Sequence, residues 1–230
     1  MPETWAKALK AYDYPARLSD YRRATEFPGY FNQDIAGHRD STIDFENYFR
    51  AYSDRLVEPY LEAVFWKLYS QGGRGQRTVD RIVDHVLEER VTAPDLNSAI
   101  ELFLEGPTRT NLSVLRALLG IKTDVLVVAL TFPAFADPAR FPMVDHKTAR
   151  WVTSHHFEQS RDRHNRLSPF KLNYTSLRYN EFDNYLNWVD WCREVAEVLT
   201  DKTEMQWRAR DVEMAVWTAA RQDLPLNPLP

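Results

Sequence analysis

The sequence contains a single cysteine, Cys192. One cysteine cannot form an intramolecular disulfide, and it cannot form a zinc site built from several cysteines. Cys192 also falls on the apolar stripe predicted for a long helix. We therefore expect a buried, structural thiol rather than a nucleophile.

Long apolar runs are missing as well. None approaches the roughly 20 residues needed to span a bilayer, and the N-terminal MPETWAKALK has no apolar core of a secretion signal. We therefore expect a cytoplasmic protein with no membrane partner, associated with the nucleoid if the source is prokaryotic.

Basic residues are not in excess, since 29 Lys and Arg stand against 33 Asp and Glu, for a net charge of −4. This balance argues against a protein whose whole surface binds DNA. A local basic face is still sufficient, because phosphate contact depends on the field where the backbone lies. The segment from Lys147 to Arg178 is rich in basic residues with aromatic residues interleaved among them. This composition fits a nucleic-acid surface and equally a solvated, charge-rich segment.

The chain has no P-loop pattern for a nucleotide, and no G-x-S-x-G pattern for a nucleophilic serine accompanies its histidines. His155, His156, Glu158 and His164 are metal-ligand types, but their spacing matches no established ligand motif. We expect neither a cofactor nor a metal.

Helical periodicity is what the sequence does contain. Apolar residues recur at helical spacing along most of the chain, which predicts an all-α protein forming one compact unit over residues 1–230. The predicted helices begin near Ser41, Glu58, Thr78 and Thr92. Two more are predicted, one over residues 180–199 and one from about Thr203 or Arg210 to Arg221. The glycine-rich QGGRGQR before Thr78 is predicted to be an exposed loop.

The stretch from Asn111 to Trp151 carries the most information. An amphipathic run ends at Gly120, and a second apolar run begins directly behind Lys122 and Thr123, which predicts two helices joined by a tight hairpin. Residues 125–132 are rich enough in β-branched residues for a buried strand. We favour a helix, because an unbroken apolar run is also typical of a central helix.

A proline-bounded connector, PAFADPARFP, leads from this hairpin to Val144 and Asp145, and another helix is predicted from His146. Asp145 is well placed to cap that helix. It is equally well placed to hold a carboxylate at the edge of a cleft.

The series Leu118-Leu119-Gly120-Ile121-Lys122-Thr123, followed by Val144-Asp145, resembles the helix-hairpin-helix DNA glycosylase superfamily. Members include endonuclease III and the 3-methyladenine and 8-oxoguanine glycosylases, with a hairpin of the form L-P-G-(V/I)-G-x-K-T-A and a later aspartate, often as V-D. The present hairpin has one glycine instead of two and is one residue shorter. Lys122 and Asp145 are 23 positions apart, which is longer than is typical of the lysine-containing members.

This resemblance implies two closely packed helical lobes with a cleft between them. The central lobe would span residues 57–144, with the hairpin at about 112–131, and residues 1–56 and 145–230 together would form the second lobe. The single cysteine excludes the four-cysteine iron–sulfur cluster of many endonuclease III relatives.

The resemblance also implies a function, namely a monomeric DNA repair enzyme that flips a damaged or mismatched base from duplex DNA and hydrolyses its N-glycosidic bond. Asp145 would stabilise the oxocarbenium-like transition state, and Lys122 would be the nucleophile of an associated AP-lyase activity. DNA contacts are expected from the hairpin (Gly120, Ile121, Thr123), from Gln71 and Arg74 in the glycine-rich loop, and from Lys147 and Arg150 after Asp145.

Other interpretations remain open on the sequence alone. Asp145 as a simple helix cap and Lys122 as a surface lysine fit the same residues. The chain then becomes a catalytically inactive nucleic-acid-binding or protein-interaction module that kept the helical fold. An unrelated helical enzyme with a polar pocket away from Asp145 is a third interpretation.

Overall fold

The computed structural model describes residues 2–121, 126–155, 160–161, 167–168 and 182–226. Over these residues the protein is all-α, as predicted. The helices are α1 (Pro2–Lys10), α2 (Arg39–Tyr52), α3 (Glu58–Leu68), α4 (Gly72–Glu88), α5 (Ala93–Glu105), α6 (Arg109–Leu118), α7 (Thr131–Ala136), α8 (His146–Ser154), α9 (Phe182–Lys202) and α10 (Ala209–Gln222). No helix within these ranges is both long and apolar enough to cross a bilayer.

Two short antiparallel ladders accompany the helices. Strand β1 (Ala16–Arg17) pairs with β2 (Asp34–Ile35), and β3 (Ser160–Arg161) pairs with β4 (Leu167–Ser168). Turns of 3₁₀-helix lie at Leu18–Asp20, Ala24–Glu26 and Tyr69–Gln71. The strands are two residues long, so the helices carry the fold.

The chain divides into two compact units. One unit comprises Tyr14–Thr123 and Val128–Ala136, and its core forms where α7 packs against α2, α3 and α5. Aromatic side chains dominate that core: Phe45, Phe49, Trp66, Phe132 and Phe135. Residues 14–56, which the resemblance would place with the C-terminal part of the chain, belong to this unit.

The other unit comprises Met1–Asp13, Asp124–Val127 and Asp137–Pro230. Helix α10 lies at its centre, packs against α1, α8 and α9, and is buried continuously from Ala209 to Ala219. Trp5, Trp151 and Trp191 meet beside it with ring centroids 5.9 to 6.4 Å apart. Cys192 is fully buried on α9, as expected, and this burial raises the pKa of its thiol.

Two helices start earlier than predicted. Helix α2 begins at Arg39 rather than Ser41, because the His38 ring accepts the Ser41 N–H and serves as the N-cap. Helix α4 begins at Gly72 rather than Thr78, so the glycine-rich segment is helical and the predicted loop is wrong. Gly75 permits this start, since a Cβ there would lie 2.3 Å from the carbonyl oxygen of Leu68.

The second helix of the predicted hairpin also differs. Residues 127–130 form a turn, in which the N–H groups of Thr131 and Phe132 donate to carbonyls three residues back. Helix α7 begins only at Thr131, two residues before Pro133. Proline fits the first turn of a helix and would break a helix running through this position. Neither the favoured helix nor the alternative strand covers residues 127–130.

Candidate active site around Asp145

Asp145 is the N-cap of α8, as predicted. Its Oδ1 accepts the backbone N–H of Lys147 at 2.7 Å and that of Thr148 at 3.0 Å. The Thr148 hydroxyl lies 3.0 Å from the Asp145 nitrogen in return, which completes a reciprocal capping box. The carboxylate is thereby held against the positive end of the helix.

The segment that leads to Asp145 is anchored on α9. The Tyr185 hydroxyl donates to the Pro142 carbonyl at 3.2 Å, and the Trp188 indole donates to the Met143 carbonyl at 2.9 Å. Tyr185, Trp188, Pro142 and Met143 are all buried. The backbone before the carboxylate is therefore fixed by buried contacts.

The second oxygen of Asp145 has a partner that the sequence did not predict. Oδ2 accepts the indole N–H of Trp217, on α10, at 3.0 Å. Trp217 is 8% exposed, its ring meets Tyr12 edge to face at 5.5 Å, and the Arg221 guanidinium lies 5.2 Å from its centroid. A contact across 72 positions leaves no local pattern, so sequence periodicity identified Trp217 only as a helical residue.

These contacts define what the carboxylate can do. Each oxygen of a carboxylate has two lone pairs. Oδ1 accepts two backbone N–H groups, whereas Oδ2 accepts only one donor among the described residues. Asp145 is half-buried, so the remaining lone pair is not sealed inside the protein. The arrangement is a preoriented carboxylate with one free acceptor position.

Basic side chains follow Asp145 on α8. Lys147 is half-exposed, and Arg150 is exposed. His146, which directly follows Asp145, is also exposed. Both predicted DNA-binding residues of this helix are thus accessible within two turns of the carboxylate.

Helix α6, the first helix of the predicted hairpin, ends in a Schellman motif. The N–H of Gly120 donates to the Ala117 carbonyl at 3.0 Å, and the N–H of Ile121 donates to the Arg116 carbonyl at 2.9 Å. These two amides are therefore occupied, and phosphate binding by the hairpin depends on other amides. Lys122 and Thr123 lie outside the described residues.

Gly120 has a second role in that turn. Its φ is +62°, and a Cβ on this residue would lie 2.4 Å from Cγ of His85. The His85 ring nitrogen Nε2 lies 3.2 Å from the Ala117 carbonyl oxygen. The glycine is thus required by the turn and by the imidazole packed against it.

Gln71 and Arg74 lie at the start of α4, and both are exposed. Gln71 ends a 3₁₀ turn and precedes Gly72, whose φ is +53°. The first turn of α4 has no side-chain cap and no acidic residue. Both residues keep the accessibility that contact with a duplex requires.

A buried carboxyl that the sequence did not single out occurs in the Tyr14–Thr123 unit. Oε1 of Glu62 accepts the N–H of Phe31, a residue with φ +53°, at 2.7 Å. Burial raises the pKa of the Glu62 carboxyl, while the Phe31 N–H and Tyr48 act in the opposite direction. Glu62 holds a strained turn in place.

A groove of about 410 Å³ is present in the unit that contains Asp145, but Asp145 does not line it. Its lining residues are Ala139, Arg193, Ala196, Glu197, Thr200, Asp201, Gln206 and Trp207. They include no histidine, cysteine or lysine, and the Thr200 hydroxyl already accepts the Trp207 N–H at 2.9 Å. Its carboxylates, Glu197 and Asp201, are exposed, and no hydrogen bond among the described residues pairs the Thr200 hydroxyl with either of them as a base.

Comparisons with protein-family models, curated proteins and solved structures yield no match for this chain. Its function is therefore argued from its own residues.

Proposed function

We propose that the protein is a DNA glycosylase that hydrolyses the N-glycosidic bond of a damaged or mismatched base flipped out of duplex DNA. The observation that carries the proposal is the arrangement of Asp145. Its two oxygens accept three N–H donors, and no further donor within the described ranges occupies the remaining lone pair. The hairpin, connector and Val144-Asp145 pattern supports it from the sequence.

The chemistry follows from that arrangement. As the bond between C1′ and the base nitrogen breaks, its electron pair leaves with the base and positive charge develops on the sugar. The fixed carboxylate of Asp145 stabilises this charge. Its free Oδ2 lone pair orients water, which adds to C1′ and releases a proton that neutralises the departing base.

The partner of this activity is duplex DNA with one damaged or mismatched base. Lys147 and Arg150 supply phosphate contacts beside the reaction centre. Gln71 and Arg74 contact the duplex from the start of α4. The enzyme acts as a monomer and needs no cofactor in this proposal.

An AP-lyase step is an extension that depends on Lys122. Its amine would attack C1′ and form a Schiff base, which borohydride reduces to a stable adduct. A covalent adduct that disappears in Lys122→Gln supports the bifunctional enzyme. Excision without any adduct assigns the chain to monofunctional hydrolysis.

The decisive experiment is single-turnover excision from duplexes that each carry one lesion. Asp145→Asn should lower the rate by about 10²-fold or more, the effect typical of losing one preorganised electrostatic group. Asp95→Asn is the matched control, because Asp95 belongs to the capping box of α5 and has no place in the proposed site. Circular dichroism verifies that both variants are folded.

Each other outcome points to a different function. Excision that survives Asp145→Asn eliminates the proposed role of the carboxylate. Salt-dependent DNA binding with no excision of any lesion favours the inactive nucleic-acid-binding module. Absence of DNA binding favours a protein-interaction role.

A further inference from the structure

Exposed arginines follow one face of the first three turns of α4, and the exposed Asp84 and Glu88 continue that face toward the C-terminal end of the helix. Arg74, Arg77 and Arg81 are all exposed, and their spacing of three and four residues places them on one side of the helix. We call these three residues the arginine stripe. The Thr78 hydroxyl donates to the Arg74 carbonyl. In the described part of the chain, none of the three guanidinium groups makes an ion pair or a hydrogen bond.

Two of the three acidic residues of the same helix, Asp80 and Asp84, pair with residues of the preceding segment. Asp80 accepts the Tyr21 hydroxyl at 3.0 Å and pairs with Arg22, and Asp84 pairs with Arg23 at 2.5 Å. Burial raises the pKa of the Tyr21 hydroxyl to about 12, so this donor stays protonated beside Asp80 at neutral pH. The neighbouring segment therefore neutralises these two carboxylates, and the stripe does not.

The stripe is also rigidly mounted. The Gln76 side chain donates to the Asp20 carbonyl at 3.1 Å and accepts the Arg22 N–H at 3.1 Å. Gly75 lets the first turn of α4 approach the Leu68 carbonyl closely. Binding a ligand along this face therefore requires ordering of the arginine side chains but not of their helix.

We propose that the arginine stripe binds the sugar–phosphate backbone of a nucleic acid, independently of sequence and of any lesion. Seven residues of helix span about 10 Å, and duplex DNA carries one charge per about 1.7 Å of its axis, so several phosphates fit opposite the stripe. Guanidinium groups bind phosphate oxygens through paired N–H donors. The inference deepens the proposed function by adding a binding surface to it and rests on that function for its partner.

A lipid surface fits this helix less well. Membrane-surface helices combine basic residues with an exposed apolar face, whereas the apolar face of α4 (Val79, Ile82, Val83, Val86) is buried within its own unit. Glu88, exposed in the last turn, would lie against an anionic surface beyond the stripe. The binding surface is therefore confined to the first three turns.

The test is binding of the full chain to an undamaged duplex over a series of salt concentrations, measured by fluorescence anisotropy. The stripe variant carries three substitutions, Arg74→Gln, Arg77→Gln and Arg81→Gln. In a plot of the logarithm of the binding constant against the logarithm of the salt concentration, its negative slope should become shallower by about 0.9 for each phosphate that the arginines neutralise in the wild type. The matched control replaces Lys10, Arg90 and Arg193, all exposed, with Gln. Like the stripe variant, it removes three positive charges and changes the net charge of the chain from −4 to −7 (−4 − 3).

An equal decrease of slope in both triple variants overturns the proposal, because net charge alone then explains the binding. An unchanged slope in the stripe variant overturns it as well. The proposal is also overturned if the stripe variant loses binding to phosphatidylserine vesicles while it still binds the duplex as the wild type does. Because no lesion is involved, the result separates from the proposed function: stripe-dependent binding without excision of any lesion retains this inference and rejects the glycosylase. If the wild type excises a lesion and the stripe variant binds the duplex as well as the wild type does, the glycosylase is retained and this inference is rejected.

Discussion

The indole N–H of Trp217 donates to Oδ2 of Asp145 at 3.0 Å, and so joins the buried helix α10 to the cap of α8. This hydrogen bond fixes the orientation of a carboxylate whose other oxygen is already held by two backbone amides. In the proposed enzyme, Trp217 is a positioning residue that determines where the remaining Oδ2 lone pair points.

Trp217→Phe keeps an aromatic ring and removes the donor. We expect stability to fall by about 1 kcal/mol, the usual contribution of one hydrogen bond, and excision to lose kcat while KM stays nearly constant. Single-turnover and steady-state kinetics on one lesion duplex measure the two effects. A change confined to KM would show that Trp217 does not act through Asp145.

A double-mutant cycle between these two residues tests the contact directly. In Asp145→Asn the amide oxygen remains with the Lys147 and Thr148 N–H groups, so the amide nitrogen faces the Trp217 donor. Two donors then oppose each other, and we expect Trp217→Phe to cost less stability in the Asn background than in the wild type. Denaturant melts of the four proteins measure the coupling, and strictly additive losses would contradict the contact.

Gly120→Ala should destabilise the protein for two separable reasons. A positive φ costs a residue with a Cβ about 1–2 kcal/mol, and the added Cβ would meet the His85 ring at 2.4 Å. Placing the substitution in a His85→Ala background removes the steric part. We expect the loss measured by thermal denaturation to shrink there to the backbone part alone, and an equal loss in both backgrounds would contradict the close packing.

Glu62 makes stability depend on pH with a defined sign. Its carboxyl pKa is raised above the ordinary value of 4.5 in the folded state, so its contribution is complete below that value and is lost as pH rises through the folded pKa. Over this window stability should fall by up to about 1.4 kcal/mol per pH unit.

Glu62→Gln should abolish this component, because the amide keeps an oxygen for the Phe31 N–H and does not ionise. Denaturant melts from pH 4 upward compare the wild type with Glu62→Gln and with Glu194→Gln, which changes an exposed carboxyl on α9. Parallel curves for the wild type and Glu62→Gln would show that Glu62 does not titrate as its burial implies.

Local signals were enough for several elements. The capping residues Thr92 and Asp145 predicted where α5 and α8 begin, because a cap and its partners lie within four residues. The start of α4 has no such local signal, because it depends on Gly75 approaching the carbonyl of Leu68 in another helix. Pro133 did carry a local signal for the late start of α7, which the apolar run outweighed.

The candidate site shows the same division. Asp145 was identified from its position before a helix, whereas Trp217 and Glu62 have contacts that sequence spacing does not encode. The apolar stripe of α10 is compatible with any inward residue at 217. Only the packed structure shows that its indole N–H meets a carboxylate.

Asp145→Ser separates capping from catalysis. Serine caps helices about as well as aspartate, whereas alanine costs about 1 kcal/mol at this position. Serine carries no charge and is too short to replace the contact with Trp217, so the comparison is made in the Trp217→Phe background.

In that background we expect Asp145→Ser to be as stable as its parent and Asp145→Ala to be less stable. Both variants should excise the base about 10²-fold or more slowly than the parent. Thermal melts and single-turnover excision give the two readouts. If the serine variant excises as fast as its parent, Asp145 is a helix cap alone and the catalytic assignment is rejected.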